Sequence, residues 1–174
     1  LSLRDCELSM AFSLVTRTVV GSGGASSIQF DNIPQTGKDL VIWVSSRTNV
    51  SNATTFFNLS FNGSTSSFDT IGVAGNGNSV ITRFTTPTNF GSEAAGNTAT
   101  ANIFGNSQIY LANYSTVSNK GFIGDGVGEN NASTSNSTLS RGLWSGNSAI
   151  TSITLTPTSG NFLQHTSASL YIIS

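Results

Sequence analysis

Apolar and polar residues alternate with a period of two along most of this chain, the spacing of half-buried β-strands. "AFSLVTRTVV" (11–20) sets Phe12 and Leu14 on one face and Ser13, Val15 and Arg17 on the other. "SSIQF" (26–30) is a short strand, followed by a turn that Pro34 and Gly37 force. "LVIWVSSR" (40–47) is apolar on both faces at first, which predicts a central strand with Trp43 packed in the core. "TTFFNLSFNG" (54–63) alternates Phe57, Leu59 and Phe61 against Phe56, Asn58 and Ser60, then turns at Asn62-Gly63. "GVAGNGNS" (72–79) is too rich in glycine for a regular element, and "VITRFTT" (80–86) is a strand stopped by Pro87. The stretch 89–97 reads as a loop with one helical turn, and 98–114 as one long strand bulged at Gly105. Segments 120–131, 133–144, 150–157 and 167–174 follow. In the last, Leu170 and Ile172 are expected to face the core, in line with Ile153 and Leu155 on a partner strand across a closing hairpin. Tyr171 and Ile173 then face the other way.

No segment keeps apolar positions at helical spacing over ten residues, and abundant Ser, Thr, Asn and Gly oppose helix formation. Eight to ten short strands with regular turns predict an all-β fold, an antiparallel β-sandwich or barrel, with a jelly-roll the expected version. One domain over 11–174 is expected. "LSLRDCELS" precedes Met10 and carries Arg4, Asp5 and Glu7, three of seven basic and eight acidic residues. It predicts an N-terminal arm over 1–10, outside the sandwich and against another chain.

Charge is scarce: 9 % of residues are charged, 37 % are hydrophobic, and the formal net charge is −1. Such a surface offers no electrostatic pull on nucleic acid or anionic membrane, so neither is an expected partner. Cys6 is the single cysteine, so no disulfide can form within one chain. Stability must come from packing or assembly, and homo-oligomers, most simply trimers, are expected.

Candidate chemistry is thin. His165, the single histidine, lies at a turn with no nucleophile elbow anywhere in the chain, and reads as a surface or interface residue. Asp125, Glu129, Asn130 and Asn131 form the densest polar cluster, on what reads as a glycine-rich loop, without the spacing of a calcium site. No carboxylate pair, phosphate cradle or transition-metal motif stands out. No catalytic, cofactor-binding or metal-binding residue is therefore assigned. Seven N-x-[S/T] sequons occur in a chain this rich in Asn, Ser and Thr, and carry no inference about secretion. Trp144 fits either a core or a stacking surface, and Tyr110, Tyr114 and Tyr171 fall at expected strand positions.

Three stretches carry a resemblance: "ASSIQFDNIPQTGKDLVIWVSSRT" (25–48), "TATANIFGNSQIYLANYSTVSNK" (98–120) and "GLWSGNSAITSITLTPTSGNFLQHTSASLYIIS" (142–174). Together they resemble a β-sandwich module of tailed-bacteriophage virion proteins, especially phages of cyanobacteria and other aquatic hosts. Where that pattern places glycine after the final tyrosine, this chain has Ile172. The resemblance implies a non-enzymatic virion protein without transferable catalytic residues. A capsid cement or decoration protein bound to the major capsid protein is the first expectation. A tail-fibre or receptor-binding tip recognising host surface polysaccharide is the alternative, and a secreted carbohydrate-binding module the second alternative.

Overall fold

The computed structural model describes residues 11–76, 89–129 and 135–174, and the backbone of 82–86. Twelve strands follow one another: β1 (Phe12–Val19), β2 (Ile28–Phe30), β3 (Asp39–Ser46), β4 (Thr54–Phe61), β5 (Phe68–Gly75), β6 (Thr82–Thr86), β7 (Phe90–Ala95), β8 (Gly105–Leu111), β9 (Lys120–Glu129), β10 (Ser135–Trp144), β11 (Ile153–Pro157) and β12 (Ser167–Ile173). They pair antiparallel into a large sheet, β1-β12-β3-β8-β9-β10-β5-β6, and a small sheet, β2-β11-β4-β7. Without β5, β6, β9 and β10, each sheet keeps four strands, β1-β12-β3-β8 and β2-β11-β4-β7. The expected all-β sandwich is therefore present, with twelve strands among the described residues rather than eight to ten. The expected arm over 1–10 lies outside the described residues.

Period-two alternation places the core. Leu40, Ile42 and Val44 on β3, Phe57, Leu59 and Phe61 on β4, and Ala168, Leu170 and Ile172 on β12 are all buried. Leu170 and Ile172 point inward as their spacing predicts. Their expected partner strand is different, however. Ile153 and Leu155 lie on β11, which pairs with β2 and β4, whereas β12 pairs with β1 and β3. The closing segment crosses between sheets instead of forming a hairpin, so these apolar rows belong to opposite layers of one core. The Asn62-Gly63 turn is as expected: φ is +52° and +74° at the two positions, the left-handed pair a tight turn demands.

Two packing regimes fill the interior. At one end, aromatic rings meet: Phe61 lies 5.2 Å from Phe68, 5.8 Å from Phe122 and 5.6 Å from Trp144, the last two edge-on. At the other end, β7 approaches the large sheet almost backbone to backbone. A Cβ on Gly124 would stand 2.6 Å from the Gly91 carbonyl oxygen, and one on Gly105 would stand 2.9 Å from the Ala95 nitrogen. Serines bridge this seam. Ser140 Oγ donates to the Gly91 carbonyl (3.1 Å) and Ser107 Oγ to the Glu93 carbonyl (2.9 Å). The Thr48 amide donates to the Ala95 carbonyl at 2.8 Å. Alternate carbonyls of this terminal strand thus have donors, as buried backbone acceptors require.

That seam corrects three sequence expectations. Segment 89–97 contains strand β7 instead of a loop with a helical turn, and every residue of β7 is buried. Residues 72–75 belong to β5, although glycine-rich. The strand expected over 98–114 begins only at Gly105; the preceding residues turn over Arg47. Its guanidinium donates to the carbonyls of Thr100, Ile103, Asn97 and Ala99 at 2.7–3.2 Å. Lys120, also buried, holds a second turn by donating to the carbonyls of Thr116 (2.6 Å) and Ser118.

Glu93 is buried in the seam, where its Oε2 accepts from Thr138 Oγ1 at 3.0 Å. Burial raises its carboxyl above the usual carboxylate range, against the pull of hydrogen bonds from Thr138 and Asn136. A carboxyl whose folded value is raised holds its proton more tightly in the folded state. Stability is then greatest in acid and declines as pH climbs from the usual range through the raised value. Glu93→Gln, neutral throughout, should melt above the parent protein at neutral pH, and the gap should close in mild acid. Parallel melting curves for the two proteins across that range would contradict this.

Candidate functional site: the outer face of the large sheet

The large sheet has one face in the core and one without a covering layer among the described residues. Strand register sets what that outer face displays. Leu14, Tyr171, Val41, Tyr110, Ile123, Arg141 and Ile71 oppose one another in successive pairs, and the register continues onto β6 at Thr85. The next row runs Trp43, Gln108, Asp125, Leu139 and Val73. A shift between Leu14 and Thr16 opposite Tyr171 and Leu170 changes the phase of β1. Arg17 therefore pairs with Ser169 and shares the outer face with Phe12 and Leu14, instead of opposing them as simple alternation predicts.

Trp43 is not in the core. It is 45 % exposed, because Leu40, Ile42 and Val44 take the inward positions of β3. Its indole lies 6.3 Å from the Phe12 ring, nearly parallel, and 4.7 Å from Tyr171. Its Nε1 donates to Gln108 Oε1 at 2.9 Å. Trp144, by contrast, is a core residue. On the far side of Trp43 an open groove of about 470 Å³ runs over β8 and β9, with Asn106, Gln108, Asp125 and Val127 along it.

Beyond this groove, β9, β10 and β5 present a more apolar patch. Ile123 is 56 % exposed and Leu139 53 %, and Val73, Val127 and Leu143 are exposed beside them. Asp125 and Arg141 stand among them on the same face, so the apolar side chains are interleaved with a carboxylate and a guanidinium. A cluster of exposed large apolar side chains on one sheet face is a candidate interaction surface.

Other candidate residues are scattered. Asp125 lies on β9, not on a loop, with its side chain on the outer face. Glu129 ends β9 and accepts from Thr100, at 3.1 Å from its amide and 2.7 Å from its hydroxyl. Asn130 and Asn131 lie outside the described residues. His165 is exposed in a turn with φ +72°. Tyr110 donates to Asp39 Oδ2 at 2.6 Å; this bond and the carboxylate's charge push its phenol up to about 12. Tyr114 follows β8 in a turn, is buried, and donates to the Pro34 carbonyl. Among the described residues, no three His, Cys, Asp or Glu side chains gather where they could hold a metal ion, and no helix is long and apolar enough to cross a membrane. Nothing in the sequence marked Glu93 or the Trp43 groove, since both depend on which strands become neighbours.

Set against family models, curated proteins and solved structures, this chain matches none.

Proposed function

We propose that this chain is a non-enzymatic structural protein of a tailed-phage virion, a cement or decoration protein that associates with itself and binds the shell formed by the major capsid protein. The observation that carries this reading is the exposed apolar patch on β9, β10 and β5. The fold supports it further. Numbering the eight strands left without β5, β6, β9 and β10 in chain order, the sheets read 1-8-3-6 and 2-7-4-5. That order supports reading the frame as a jelly-roll, an architecture found in viral capsid and lectin domains. The patch sits on strands added to that frame, where its apolar side chains contribute nothing to the core. With 9 % of its residues charged, the chain makes few ion pairs available to its contacts, which limits their dependence on salt.

Counting the protein in purified virus particles by quantitative mass spectrometry tests this reading. Hundreds of copies mean the capsid, a few dozen or fewer mean the tail, and absence from particles rejects a virion role. The self-association component has its own test. The parent protein should scatter light as an oligomer, a trimer in the simplest case. Leu139→Asp should shift it to monomer while costing under about 0.5 kcal/mol in fold stability, as for other surface changes. A monomeric parent protein would remove β9, β10 and β5 as a self-association surface.

A second reading is a tail-tip module that recognises host surface polysaccharide. Trp43, exposed beside Gln108 and Asp125, favours it.

A further inference from the structure

We propose that the groove beside Trp43 is a saccharide-binding site that stacks a neutral sugar ring on the indole and binds its hydroxyls through Asp125, Gln108 and Asn106. This inference deepens the second reading and does not depend on the first.

The stacking platform is already in place. Phe12 and Tyr171 pack around one side of Trp43, and the Gln108 amide oxygen fixes its Nε1. A ring held by three partners loses little further freedom when a ligand arrives, so less of the contact energy is spent on ordering it. The other side of the groove is polar. Among the described residues, the Asn106 side chain and the Asp125 carboxylate have no hydrogen-bond partner. The Gln108 amide oxygen is occupied by Trp43, which leaves its amide nitrogen as a donor. Direct pairing of Trp43 with Gln108, and of Gln108 with Asp125, puts platform, donor and acceptor in one transverse row. Neighbours in such a row have Cβ atoms about 5 Å apart, a spacing suited to successive polar groups around a sugar ring. The groove volume of about 470 Å³ falls within the ~300–1,000 Å³ of small-ligand sites.

The same residues argue against other ligands. No Lys or Arg lines the groove, so phosphate or sulfate would meet Asp125 without a compensating cation. An acidic sugar meets the same obstacle. A purely apolar ligand would strip water from an amide pair and a carboxylate without replacing their hydrogen bonds. The closest competitor is a quaternary ammonium group, which an indole and a carboxylate can also attract.

The two tryptophans make the test direct. Trp144 is buried, so solvent-sensitive emission reports Trp43. The full chain is titrated with neutral methyl glycosides (glucose, galactose, mannose, rhamnose and N-acetylglucosamine) and separately with choline. It is also applied to an array of neutral oligosaccharides. At least one neutral sugar should shift the emission saturably to the blue. Asp125→Ala and Gln108→Ala, both surface changes that should leave the melting curve in place, should each weaken that sugar by about tenfold or more. Three outcomes overturn the proposal: no response to any neutral sugar by either method, unchanged affinity in both variants, or tighter binding of choline than of every neutral sugar. Particle copy number is a separate measurement, so this site and the capsid assignment can fail independently.

Discussion

Leu170→Ala should lower stability by about 2–5 kcal/mol, the cost of deleting a buried leucine and leaving a cavity. Leu170 has no exposed surface and belongs to the apolar core shared by both sheets. On β12 it pairs with Ile42 on one side and Thr16 on the other, so backbone pairing leaves the facing side chains little freedom to collapse into the gap. Such a loss is a large share of the ~5–15 kcal/mol that holds a typical domain together. At this chain length it should lower the melting temperature by about 2–4 °C per kcal/mol. Tyr171→Ala, one residue on, should behave differently. Tyr171 is half-buried on the outer face and contributes mainly its ring contacts with Trp43 and Phe12. A cost nearer 1 kcal/mol is expected, with any larger effect on binding or assembly. Thermal melts of both variants decide the matter. Unfolding of the tyrosine variant beside a parent-like Leu170→Ala would mean that the strand register is inverted.

Gly124→Val should cost at least about 3 kcal/mol, at or beyond the upper end for overpacked interiors. The first added carbon already stands 2.5 Å from Ser140 Oγ and 2.6 Å from the Gly91 carbonyl oxygen. The serine can rotate, but it would then give up its bond to that carbonyl, a further loss of about 1 kcal/mol. The carbonyl belongs to the backbone of β7, so two valine methyls fit only if the sheets move apart. Gly121→Val on the same strand is the control. Nothing lies within 4 Å of a Cβ there, and a β-branched residue suits an exposed strand position. Urea midpoints should therefore drop sharply for Gly124→Val and stay near the parent value for Gly121→Val. Equal midpoints would rule out the close approach of β7 to β9.

The contrast between these glycines marks how far the sequence could be read. Phe57, Leu59 and Phe61 declare a buried strand face because alternating large apolar side chains have one stable arrangement, with that face in the core. Leu170 and Ile172 were legible for the same reason, and Asn62-Gly63 announced its turn through its backbone preference. β7 gave no such sign. "FGSEAA" is buried on both faces and four of its six residues are small, so its burial has no period, and its place depends on Ser107, Ser140 and the large-sheet glycines Gly105 and Gly124. Trp43 sits in a run apolar on both faces, which local pattern alone cannot orient; inward Ile42 and Val44 decided it. The sheet assignment of the last strands also lay beyond local pattern, since an apolar row pairs equally well with a neighbour or across a core. The sequence by itself determined most of the strands, most of their inward faces and the lack of helix among the described residues, because these follow from side-chain period and backbone propensity. Only the tertiary structure decided which strands are neighbours, and with that the apolar patch, the buried Glu93 and the groove at Trp43, because each joins residues far apart in the chain through strand pairing or sheet packing.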